Sequence, residues 1–116
     1  MANTFKVKSN DAMPTSASTP LTLYTVPSST TAIVLGLILA NVHSASVTAS
    51  VQLVSDTSDT ETNQTTWLVK DVSIPVGSSL ELLSGSKLVM QTTDIIKVDC
   101  SVSAKIDASL SIMEQT

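Results

Sequence analysis

The sequence predicts an all-β fold: an antiparallel β-sandwich, jelly-roll-like, with an irregular N-terminal arm. Three observations lead there. Apolar residues recur with a period of two in several windows, no window sustains a helical period, and Val, Ile, Thr and Ser outnumber the good helix formers. Turn signals separate the apolar runs, so eight or so short strands are expected to pack as two sheets around one core. A length of 116 residues suits one such domain. Residues 1–20 form an N-terminal strand and extended arm in this reading, and residues 21–116 the sandwich.

The elements follow in order. From Asn3 to Lys8, Phe5 and Val7 alternate with Lys6 and Lys8, as in a half-exposed strand. Residues 9–20 (SNDAMPTSASTP) hold two prolines and mostly small polar side chains, which predicts an irregular connector able to reach a neighbour. Residues 21–26 resume a strand that Pro27-Ser28-Ser29 ends. Residues 33–42 lack polar alternation, which suits a strand covered on both faces, inside a barrel-like core or against another subunit. Residues 41–46 turn the chain, and Val47, Ala49, Val51 and Leu53 then alternate with Thr48, Ser50 and Gln52.

Residues 56–64 (DTSDTETNQ) carry no aliphatic side chain and predict the solvated tip of a long hairpin. Its returning strand, 66–74, holds the only tryptophan, Trp67. Residues 75–79 and 84–86 are turns around a short strand at 80–83, and 88–91 continue the meander. Ile96, Val98, Cys100 and Val102 share one parity, as do Ile106, Ala108, Leu110 and Ile112, giving two half-buried strands. The segments VPSS at 26–29 and IPVGSS at 74–79 echo each other as turns between apolar runs.

Composition narrows function. The net charge is −4 and all six basic residues are Lys, so the guanidinium fork that grips phosphate or reads guanine is missing. Neither nucleic acid nor a membrane is an expected partner. The apolar run at 32–40 is too short to span a bilayer, and it lies far from the basic N-terminal start of a secretory signal. One cysteine allows no intrachain disulfide.

Catalysis needs a nucleophile, a base and a group to orient the base, and His43, the only histidine, falls in a turn. Cys100 reads as a small buried apolar side chain. Asp56, Asp59 and Glu61 lack the spacing of a calcium loop. No secretory signal is expected to accompany the glycosylation sequon at Asn63. Gly36, Gly77 and Gly85 stand apart, so no phosphate-cradling loop exists, and Trp67 is expected in the core for its area. No enzyme, cofactor or metal is expected.

What remains is association. Scarce charge with abundant Ser and Thr suits flat contacts among protein copies, where desolvating charges is costly. The candidate interface residues are Phe5, Val7 and Met13 of the arm and Ile33, Leu35, Leu37 and Leu39 of the unbroken run. A receptor- or glycan-binding module is the alternative, with Trp67 or the 56–64 loop as its contact.

The order of TFKVKS, LYTVPSSTTAIVLGLILANV, VTASVQLV, WLVKDVSIPVGSSLELLSGSKLVM, TTDIIKVDCSVSA and SIMEQT resembles a group of small virion structural proteins of tailed, notably marine, bacteriophages. It covers most of the chain and is carried by residues 23–40, 68–83 and 94–98. Such proteins often have Ala-Gly after the proline and Gly before the aspartate, where this chain has Ser28-Ser29 and Thr93. The resemblance implies a β-sandwich that multimerises in a virion, as a capsid decoration (cement) protein or a neck, tail or fibre accessory. Its partners would be its own copies, for instance in a trimer, and other virion proteins such as major capsid or tail proteins. It would be made in the host cytoplasm.

Overall fold

A computed structural model describes residues 2–56, 63–83 and 87–116. Among them nine strands form: β1 (Asn3–Met13), β2 (Leu21–Thr25), β3 (Thr31–Asn41), β4 (Val47–Val54), β5 (Thr65–Ile74), β6 (Ser79–Leu82), β7 (Leu88–Met90), β8 (Ile95–Cys100) and β9 (Ile106–Gln115). They build two antiparallel sheets, the sandwich that the period-two alternation predicts. One sheet runs β1-β9-β3, and β3's far edge is shared by β7, opposite Ala32 to Val34, and β6, opposite Leu37 to Ala40. The other runs β2-β8-β4-β5.

Alternation places one side of each central strand in the core. Val34, Leu37 and Leu39 of β3 and Ile106, Leu110 and Ile112 of β9 are buried, with Val47, Ala49 and Val51 of β4 and Ile96, Val98 and Cys100 of β8. Each large aliphatic side chain so removed from water contributes about 1.5–3 kcal/mol.

The apolar run in β3 is not covered on both faces within the chain. Pairing with β9 slips between Val34 and Gly36, and this bulge resets the alternation so that burial resumes at Leu37. Leu35 and Ile38 face outward and are exposed.

The N-terminal segment is more ordered than its composition predicts. β1 continues five residues past Lys8, pairing with β9 from Asn3 to Met13 with a bulge after Asn10, and the irregular stretch is confined to residues 14–20. That stretch lies on its own chain. The Ala104 amide donates to the Pro14 carbonyl at 2.7 Å and the Ser18 amide to the Cys100 carbonyl at 3.0 Å.

The two echoing segments are equivalent crossings. Each carries the chain from the four-stranded to the five-stranded sheet, from β2 to β3 and from β5 to β6. In each, the second residue after proline is left-handed, Ser29 at φ 53° and Gly77 at φ 74°.

Candidate protein-binding face

The register of the five-stranded sheet sets a row of apolar side chains across its outer face. Phe5 of β1 pairs with Met113 of β9, Met113 with Ile33 of β3, and Ile33 with Val89 of β7. Phe5 is 70% exposed and Val89 62%, and both rank among the most exposed large apolar residues of the described chain. Val7, 64% exposed, extends the patch along β1. Residues of one parity share a face, so these positions are fixed by pairing and not by rotamer choice.

Beside this row the face dips. Ser109 and Ser111 of β9 and Gly36 of β3 leave a trough of about 300 Å³, walled by Leu35 and Ile38 with Glu81 at its β6 edge. A Cβ at Gly36 would meet nothing within 4 Å. The centre of the face is uncharged. Its carboxylates stand toward the rim: Glu81 opposite Ile38, Asp107 opposite Ala40, and Asp11 beside Asp107. An uncharged apolar centre with a charged rim is the anatomy of a protein interface, and contiguous exposed apolar patches mark such sites.

Of the residues predicted for an interface, Phe5, Val7, Ile33 and Leu35 lie on this face. Met13, Leu37 and Leu39 do not: all three are fully buried in the chain's own core, Met13 because β1 runs on to Ile106, and the two leucines because the Gly36 bulge gives them the inward parity. Sequence reasoning missed Ile38, Met113 and Val89. Their signal was outward parity, legible only once the bulge and the pairings are known.

The inward-parity side of β1 is polar, and its charge is matched from within. Lys6 Nζ lies 2.7 Å from Glu114 Oε1, and the Tyr24 hydroxyl donates to Glu114 Oε2 at 2.6 Å. Glu114 belongs to β9 and Tyr24 to β2, so one nearly buried carboxylate ties the edge strand to both sheets. Lys6 and the Tyr24 hydroxyl hold Glu114 below its usual carboxylate range, while burial and the same carboxylate push the Tyr24 phenol well above its own.

The other singled-out residues take separate places. Trp67 is exposed, not in the core, because its pairing with Gln52 gives it outward parity on β5. Lys70 Nζ sits 4.4 Å from the ring centroid, so a cation occupies one face of the ring that a sugar would stack on. Cys100 is buried, and burial raises its thiol pKa. His43 is half-buried in the turn after β3, where its amide donates to Asn41 Oδ1 at 2.7 Å. Of the acidic loop, residues 57–62 lie outside the described residues, as does Gly85. The Asp56 amide donates to Asp94 Oδ1 at 2.8 Å. Among the described residues no group of three His, Cys, Asp or Glu side chains could hold a metal ion. No helix there is long and apolar enough to cross a membrane.

No protein-family model and no curated protein matches the chain. Among solved structures, an appendage protein from the disulfide-linked pili of Bacillus endospores superposes with a TM-score of 0.49 at 15% identity, over 99% of this chain and 87% of that one. Neither a family nor a role follows from that degree of likeness.

Proposed function

We propose that the chain is a non-enzymatic structural component of a tailed-phage virion, a capsid decoration protein or a neck, tail or fibre accessory, that works by packing against other protein surfaces. The observation that carries the assembly role is the outer face of the five-stranded sheet, where Phe5, Val7, Leu35, Ile38 and Val89 are exposed around an uncharged centre. The sandwich does not need these side chains apolar, because its core lies on the other side of the same strands. The phage setting rests on the sequence resemblance.

Mass spectrometry of purified particles, with labelled protein located by electron microscopy, tests the reading. We expect the chain in particles at many copies, and an Ile38→Lys chain, folded but charged at the face, to be left out. Absence of the wild-type chain from particles would sink the virion role.

A further inference from the structure

We infer that the outer face of the five-stranded sheet is self-complementary and joins two copies of this chain about a two-fold axis that runs parallel to the strands between β9 and β3. The inference rests on the assembly role above and names the partner of that face. Its basis is an asymmetry within the face. On one side of the axis β9 presents the small Ser109 and Ser111, and on the other β3 presents the large Leu35 and Ile38 on either side of Gly36, which pairs with Ser111.

A two-fold axis between the two strands lays each copy's β3 ridge into the other copy's β9 trough. Ser109 then meets the partner's Ile38, Ser111 meets the partner's Gly36 with the bulged Leu35 beside it, and Met113 meets the partner's Ile33. The flanking strands exchange in the same way, bringing Phe5 against the partner's Val89. Two sheets packed face to face with their strands nearly aligned interdigitate in this manner, and an isologous interface requires each patch to fit itself.

Charge selects the same arrangement. Glu81 faces the partner's Ser9, and Asp107 faces the partner's Ala40, so no carboxylate of the rim opposes another. An axis laid across the strands would instead set the apolar row, Met113 and Val89 among it, over the partner's Ser109 and Glu81. Area suffices as well. Four strand positions at about 4.8 Å and strands of up to 11 residues at about 3.3 Å give about 700 Å² before side-chain relief, close to the roughly 800 Å² per partner of a standard interface.

Sedimentation equilibrium of the isolated chain reads the association. A dimer is expected, dissociating at least tenfold more readily in Ile38→Lys, which charges the ridge, and in Ser111→Trp, which fills the trough. Gln52→Lys, on the opposite face, should leave it unchanged. Circular dichroism and thermal melting check that each variant is folded, and Ser111 is exposed, so its substitution spares the core.

The axis has its own test. Within one chain the Phe5 and Val89 positions are three strand spacings apart, about 14 Å. Chains carrying Phe5→Cys mixed with chains carrying Val89→Cys should be joined by a short bismaleimide that spans the roughly 10 Å between facing sheets, and neither should be joined alone. A monomer, a dimer indifferent to both face variants, or a dimer that fails to crosslink in the mixture overturns the inference. A monomer that is nonetheless found in particles overturns the self-association alone and leaves the assembly role standing.

Discussion

The two outer faces of this sandwich are made by the same strand geometry and carry opposite chemistry. Across the five-stranded sheet the register lines up Phe5, Met113, Ile33 and Val89, all apolar. Across the four-stranded sheet the corresponding row is Trp67, Gln52, Lys97 and Thr22, amphipathic or polar throughout, with Asp99 and Ser50 paired beside it. Folding fixes the inward residues of every strand and leaves the outward ones free, so an outward difference of this kind reports on what each face meets. The four-stranded sheet is built for water. The five-stranded one carries the exposed apolar row on which the proposed assembly role rests.

The sharpest way to break that comparison lies within a single strand. Leu37 and Ile38 are neighbours in β3, one fully buried and one exposed. Leu37→Ala is expected to cost about 2–5 kcal/mol, the range for emptying a packed core position. Ile38→Ala should stay within about 0.5 kcal/mol of wild type in the monomer, as surface changes do. Urea unfolding of both variants measures the contrast, and comparable losses would mean that the outer face is part of the folding core.

The next effect sits where β1 joins the sandwich. Tyr24→Phe removes a hydrogen bond to a nearly buried carboxylate and is expected to cost about 1.5–3 kcal/mol at neutral pH. Glu114 has a lowered folded pKa, so its contribution is fully present above the unfolded glutamate value of about 4.3 and is lost as pH falls through the folded value. Tyr24 has a raised one. Above pH 10 the unfolded chain releases the phenol proton while the folded chain keeps it, and stability falls as the pH rises. Glu114→Gln should flatten the acid limb of a stability-against-pH curve. A limb unchanged by that substitution would show that the triad does not govern acid unfolding.

These residues also mark how far the sequence could be read. β4, β8 and β9 were legible because strict alternation survives in them, and the burial of Cys100 followed from its parity with Val98 and Val102. β1 was legible only as far as Lys8. Ser9 to Ala12 are polar or small, and what holds this end of the strand is pairing with β9, almost a hundred residues away in the chain, together with the burial of Met13. Alternation in β1 separated Phe5 and Val7 from the lysines without saying which side is covered. The polar side turned inward because Glu114 waits there, a partner with no local signal. Trp67 followed register over its preference for burial, and the Gly36 bulge reversed the parity that would have grouped Leu37 and Leu39 with Leu35.

The smallest expected effect concerns two left-handed positions, one in the β2–β3 crossing and one in the β7–β8 turn. Ser29 has φ 53° and Thr93 φ 75°, left-handed values that cost an ordinary L residue about 1–2 kcal/mol and glycine almost nothing. Both stand where the resemblance leads one to expect glycine. Glycine gives back about 0.5–1 kcal/mol through the greater freedom of the unfolded chain, so Ser29→Gly should stabilise by about 0.5–1 kcal/mol, a rise of a few degrees in Tm. Thr93→Gly relieves more strain, because a β-branched side chain tolerates positive φ poorly, but it also removes the hydroxyl that donates to the Asp56 carbonyl. The two terms oppose each other, and Thr93→Gly is expected to gain less than Ser29→Gly. Thermal melts of the two variants decide it. A larger gain at Thr93 would mean that the hydroxyl contributes little to holding Asp56 against the β7–β8 turn, and a loss at Ser29 would mean that its left-handed turn costs the serine nothing.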